Sequence, residues 1–83
     1  MRVEIILGQP DNLPIAFDSV LKEALEKRLF IHFSNASVRV KRGKQPHLSI
    51  LQATKSDEAL INKIFQQTLL DAAHHFNLTL GSN

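Results

Sequence analysis

The chain has no cysteine, no tryptophan and no tyrosine among its 83 residues. Without cysteine there are no disulfides, no thiolate nucleophile and no cysteine-based zinc site, and a reducing compartment suits the composition. Without tryptophan and tyrosine the aromatic inventory is five phenylalanines, none of them between positions 34 and 64. Base stacking along a single strand needs aromatics interleaved with cations, so that mode of nucleic-acid binding is poorly served. Gly8, Gly43 and Gly81 are scattered, which excludes a glycine-rich phosphate cradle. No apolar run approaches the roughly 20 residues of a membrane-spanning helix. The opening Met1-Arg2-Val3-Glu4-Ile5-Ile6-Leu7-Gly8 is too short and too charged for the core of a signal peptide. The expectation from these absences is a cytoplasmic, soluble protein.

Other absences bear on chemistry. Ser34, Ser37, Ser49 and Ser56 have no paired base and orienting acid in any nucleophile motif. His74 and His75 are neighbours, and neighbouring helical residues point about 100° apart, so they do not converge on one ion. Asp71 and His75 share a face, but two ligands make a weak site. The reading is a protein that is not an enzyme and that carries no metal and no cofactor. A chain of this length predicts one domain, residues 1–80 with a frayed tail at 81–83. It buries roughly 60–65% of its unfolded surface, too little to enclose a deep substrate cavity.

The strongest pattern present runs from Ala53 to Phe76, without glycine or proline. Ile61, Ile64, Phe65, Thr68, Ala72 and Phe76 recur at spacings of three and four, one apolar stripe on a helix. Thr54 followed three residues later by Asp57 is a capping-box variant. Asp57 and Glu58 in the first turn and His74 and His75 in the last both suit the helix dipole. The opposite stripe is Leu60, Lys63, Gln67, Leu70 and His74, with the spacing of a helix seam. Two leucines on that seam suit a contact with another protein surface, or a weak homodimer, set against the plainer reading of two isolated exposed leucines on a soluble protein.

Upstream, Val3, Ile5 and Leu7 alternate with Arg2, Glu4 and Ile6, a half-buried strand. Gly8-Gln9-Pro10-Asp11-Asn12 is turn chemistry, and Pro14 suits a helix start. A helix is predicted from about Ile15 to His32, with Phe17, Leu21, Ala24, Leu25 and Leu29 inward and Lys22, Glu23, Glu26 and Lys27 solvated. Glu23 and Lys27 form a favourable i, i+4 pair, Phe30 points away from the inward stripe, and His32 packs as a partly exposed ring. Val38 and Val40 then alternate inward in a second strand, and Leu48 and Ile50 in a third, with a hairpin-like turn at Arg42-Gly43-Lys44-Gln45-Pro46 between them. The resulting fold class is α+β, in the order β-α-β-β-α: a small three-stranded sheet with two helices on one face and the other face wet. A right-handed crossover is expected if the first two strands run parallel.

Net charge is only +2, so the placement of charge matters more than its sum. Arg39, Lys41, Arg42 and Lys44 cluster in the middle of the chain, with His47 beyond. They are the candidate phosphate contacts of a nucleic-acid-binding module, set against the plainer reading of a solvated strand and turn.

Several pieces in one register resemble the DinI-like family of small bacterial and prophage proteins. They are Met1-Arg2-Val3-Glu4, Leu13-Pro14, Val38-Arg39-Val40, Leu48-Ser49-Ile50, Ala53-Thr54-Lys55 with Asp57, and Ile61, Ile64, Gln66, Thr68, Ala72 and Phe76. The resemblance implies a protein–protein role: binding the recombinase RecA and modulating its filament on single-stranded DNA in the SOS response to DNA damage. It further implies an acidic ridge on the C-terminal helix that imitates a phosphate backbone. Here the sequence departs from the pattern. The outer-face positions of the family's acids fall on Lys63, Gln67, Leu70, Ala73 and His74, none of them a carboxylate. The resemblance therefore extends to the fold, whereas the DNA-mimic mechanism does not carry over residue by residue. A different approach to RecA, another protein partner or self-association remain the alternatives.

Overall fold

The computed structural model describes residues 1–8 and 13–77. Its elements follow the order β1 (Arg2–Gly8), α1 (Phe17–His32), β2 (Ser37–Gly43), β3 (His47–Leu51) and α2 (Lys55–His75), an α+β fold. The expected fraying at 81–83, and the part of the first turn beyond Gly8, lie outside the described residues.

The strand most densely apolar on one face takes the centre. The sheet order is β2-β1-β3, with β1 parallel to β2 and antiparallel to β3. Val3, Ile5 and Leu7 of β1 are buried at alternate positions, as a strand with one covered face requires. A central strand must give both of its edges to hydrogen bonds, and β1 has no proline to interrupt them. The charges of β2, Arg39, Lys41 and Arg42, suit an edge, where they discourage pairing with another chain.

This order corrects the hairpin expected between β2 and β3. The two strands do not pair; they flank β1 on opposite sides. Because β2 runs parallel to β1, the chain leaves β2 at the Gly8 end of β1 and must cross that end to reach the other edge. The crossing is close. A Cβ on Gly8 would stand 2.6 Å from Pro46 Cδ, so the space, not an unusual φ, calls for glycine there.

The core forms between one sheet face and the two helices. Phe17, Leu21, Leu25 and Leu29 of α1 are buried with Ile61, Phe65, Thr68 and Ala72 of α2 against Val3, Ile5, Leu7 and Val38. The helical stripes are therefore as the spacing predicted. Val40, Leu48, Ile50, Ile64 and Phe76 pack on this cluster half-buried. Phe17 meets Phe76 at a ring-centroid distance of 5.8 Å, so the start of α1 lies beside the end of α2.

Local boundaries differ slightly from the periodicity. Helix α1 begins at Phe17 rather than Ile15, because the Pro14 carbonyl accepts from the Phe17 amide at 3.1 Å in a turn that leaves Ile15 outside, 92% exposed. The i, i+4 ion pair that forms on α1 is Lys22–Glu26, at 3.8 Å, rather than Glu23–Lys27. Phe30 is exposed, as its position off the stripe implied, and His32 is exposed as well, its ring tilted beside that of Phe33 at 6.2 Å between centroids. Thr54 closes the expected capping box: its Oγ1 accepts from the Asp57 amide at 3.1 Å, and the Asp57 carboxylate accepts from the Thr54 amide at 3.4 Å.

Candidate functional site

Helix α2 packs one stripe into the core and leaves the other uncovered. Lys63, Gln67, Leu70 and His74 are exposed, and Leu60 is half-buried at the start of the seam. Leu70 is 45% exposed. Ala73 does not belong to this surface. It is buried beside Ala72, which corrects its placement among the outer positions. A charged side chain at 73 would have to leave that buried position or be paired.

Next to this surface lies a polar junction between the helices. Arg28 of α1 donates from Nη2 to Asp71 Oδ2 at 2.6 Å and from Nη1 to Thr68 Oγ1 at 3.1 Å. The buried Thr68 hydroxyl donates in turn to the Ile64 carbonyl at 2.6 Å. Gln67, one turn before Asp71 on the same helix, donates to Asp71 Oδ1 at 3.1 Å. Both carboxylate oxygens of Asp71 are thus engaged. The bond from Arg28, then that from Gln67, lower its carboxyl from the ordinary value; burial opposes them, and the charges of Arg28 and His74 add smaller favourable contributions.

This junction bears on the charge of the surface. Asp71 is the one acid in the second half of α2, and Arg28 neutralises it. Asp57 and Glu58 sit in the first turn, where Asp57 is part of the cap. The outer stripe is left with Lys63, an amide, a leucine and a histidine, and it has no acidic ridge. Gln67, one of the seam residues, is drawn sideways towards Asp71. His75 turns to Phe76 in an edge-on contact at 4.9 Å between ring centres. Among the described residues, no three of His, Cys, Asp and Glu stand close enough together to hold a metal ion.

The basic cluster divides between the two faces of the sheet. Strand alternation places Arg39 and Lys41 on the uncovered face, where both are exposed. Arg42 points the other way and is taken up by α1. Its Nε lies 3.1 and 3.2 Å from the two carboxylate oxygens of Asp18, and its Nη2 lies 3.0 Å from Asp18 Oδ1 and 2.7 Å from the Pro14 carbonyl. Arg42 therefore clasps the start of α1 and is not a free member of a phosphate-binding row. Lys44 is exposed in the connection beyond β2.

Sequence reasoning missed Arg28 and Asp18. Each is a charged residue next to an inward position, Arg28 beside Leu29 and Asp18 beside Phe17. That adjacency is the one signal that marked them, since a long side chain there can lie along the core and reach a partner on another element.

Comparison with known proteins gives the family. Residues 15–76, from the turn before α1 to the end of α2, match the DinI-like family. The chain is also 34% identical over 77 residues to the DNA damage-inducible protein I of Serratia marcescens, an alignment spanning 93% of this chain and 98% of that protein. With the family match and this relative in agreement, the chain belongs to the DinI-like family.

Proposed function

We propose that this protein acts without chemistry in the response to DNA damage, as a modulator of the RecA filament that works by protein contact. The observation that carries the reading is its kinship over nearly the whole chain with a DNA damage-inducible protein. RecA is the partner the family implies, and a cytoplasmic location follows from it. The surface assigned to the contact is the outer stripe of α2: Leu60, Lys63, Gln67, Leu70 and His74. Four of these are exposed, and together they offer apolar area and hydrogen-bonding groups rather than negative charge. A surface of that kind meets its partner by shape and apolar burial. It does not compete for cationic DNA-binding loops as a row of carboxylates does.

The test is a binding comparison across a salt series, using RecA filaments on single-stranded DNA and the same DNA alone. Binding to the filament with little binding to bare DNA is expected, and Leu70→Glu should weaken it. Tight binding to bare DNA that falls steeply with salt would overturn the reading in favour of a nucleic-acid module.

The α2 stripe also supports a second reading, self-association, because Leu70 is 45% exposed on a face with no acids to repel a second copy. Leu60 is already half-buried and Leu70 is 45% exposed, so covering what remains would contribute about 1–2 kcal/mol before association entropy is subtracted, enough for a weak dimer only if neighbouring contacts join. Sedimentation from micromolar to millimolar concentration tests it, and a chain that stays monomeric throughout rules it out.

A further inference from the structure

The helices cover one face of the sheet and leave the other to solvent. Register fixes the composition of that second face. Arg2 stands between Ser37 and Leu51, Glu4 between Arg39 and Ser49, and Ile6 between Lys41 and His47. Side chains opposite one another on adjacent strands lie about 5 Å apart, and those two positions along a strand about 6.8 Å apart. Two apolar side chains are therefore each set beside a cation: Leu51 beside Arg2, and Ile6 beside Lys41. Arg2, Arg39 and Lys41 are exposed, Leu51 is 48% exposed, and Ile6 is half-buried. Among the described residues, the ion pairs are Lys22–Glu26, Arg28–Asp71 and Arg42–Asp18, so these three cations pair with no described carboxylate.

We propose that this open face docks an acidic protein segment carrying leucine-like side chains. Its carboxylates meet Arg2, Arg39 and Lys41, and its apolar groups settle on Ile6 and Leu51. Charge complementarity selects the partner's sign, and the alternation of cation and hydrocarbon selects its class. A nucleic-acid strand carries charge at every unit and seeks aromatic platforms. Among the described residues this face has no phenylalanine, tyrosine or tryptophan, its one ring being His47 on the edge strand, and it holds a carboxylate, Glu4, at its middle. A protein segment can set an amide or hydroxyl donor over Glu4 and keep its own acids for the flanking cations. The proposal concerns a different face from the outer stripe of α2 and does not depend on RecA being the partner there.

The experiment is an NMR titration of the isotope-labelled full chain with a peptide of glutamate interspersed with leucine. An oligothymidylate strand and the same peptide with lysine in place of glutamate are run in parallel. The acidic peptide should shift amides of residues 2–6 and 37–41, and the lysine peptide should leave them unmoved. Arg39→Glu/Lys41→Glu should weaken acidic-peptide binding about tenfold or more, since it turns two attractions into repulsions. Arg39→Gln/Lys41→Gln should fall between the reversal and the wild type, and it stands in if the reversal fails to fold. The proposal is overturned if the acidic peptide does not bind, if its shifts fall on α2 alone, or if the charge-reversed and neutral variants bind as the wild type does. Tighter binding of the oligothymidylate than of the peptide would also overturn it and assign the face to nucleic acid.

Discussion

Arg28 and Asp71, 43 residues apart in sequence, meet across the helix pair at 2.6 Å. The pair does more than join two charges. Arg28 spans from the carboxylate to the buried Thr68 hydroxyl, so one guanidinium fixes two positions, a turn apart, on α2. It therefore sets how α2 lies on α1 and, through α2, which residues form the outer stripe.

A pH dependence follows from Asp71. Its carboxyl titrates lower in the folded chain than its ordinary value of 3.8. The stabilisation is thus fully present above that value and is lost as pH falls below it towards the folded one. Both partners are about two-fifths exposed (39% and 41%), so salt screens the pair. In urea melts, Asp71→Asn should be less stable than wild type at neutral pH, and the gap should close on acidification. A gap that stays constant down through the carboxylate range would show that the charge of Asp71 is not what the fold uses.

Leu25 is fully buried at the centre of the α1 stripe. Truncating it leaves a cavity that the surrounding side chains fill only in part. Leu25→Ala should cost about 2–5 kcal/mol by chemical denaturation. Near-wild-type stability would remove α1 from the core.

Two glycines differ in what a methyl group would strike. At Gly8 the obstacle is Pro46, with Cδ at 2.6 Å and the backbone nitrogen at 3.0 Å; at Gly43 it is the Ile6 methyl Cγ2 at 2.7 Å. A proline ring is tied to its backbone, whereas Cγ2 of Ile6, on a stiff branched Cβ, is moved aside by a χ1 change, which a half-buried side chain makes more readily than a backbone shifts. Gly8→Ala should therefore cost about 1–3 kcal/mol and Gly43→Ala distinctly less. Equal melting midpoints for the two variants would mean that the crossing over β1 is looser than these distances imply.

Gln52, between β3 and α2, has φ of 61°. A side chain there is held in the left-handed region, which only glycine enters without steric cost. Gln52→Gly should stabilise the chain by up to about 1 kcal/mol, the relieved strain being partly offset by the greater freedom of glycine in the unfolded state. A loss of stability would indicate that the glutamine side chain makes a compensating contact.

Local patterns in the sequence determined the elements and their inward faces. Alternation in β1 and β2 and the 3.6 period in α1 and α2 are properties of neighbouring residues, and solvent sorts them the same way in any compact arrangement. The cap at Thr54 and Asp57 was legible for the same reason, since its two partners are three residues apart. What the tertiary structure decided is what depends on residues far apart in the chain. Strand order is one example. Periodicity gives each strand an inner face but not a neighbour, and with β1 in the centre the chain has to pass over its end at Gly8 and Pro46 to reach the far edge. The fate of the charges is the other. Arg42 and Lys41 are adjacent in sequence, yet one clasps Asp18 and the other remains on the open face, because a strand sends successive side chains to opposite sides and only one side has a helix to receive them. Arg28 and Asp71 likewise read as two ordinary surface charges until the packing of α1 on α2 brings them together.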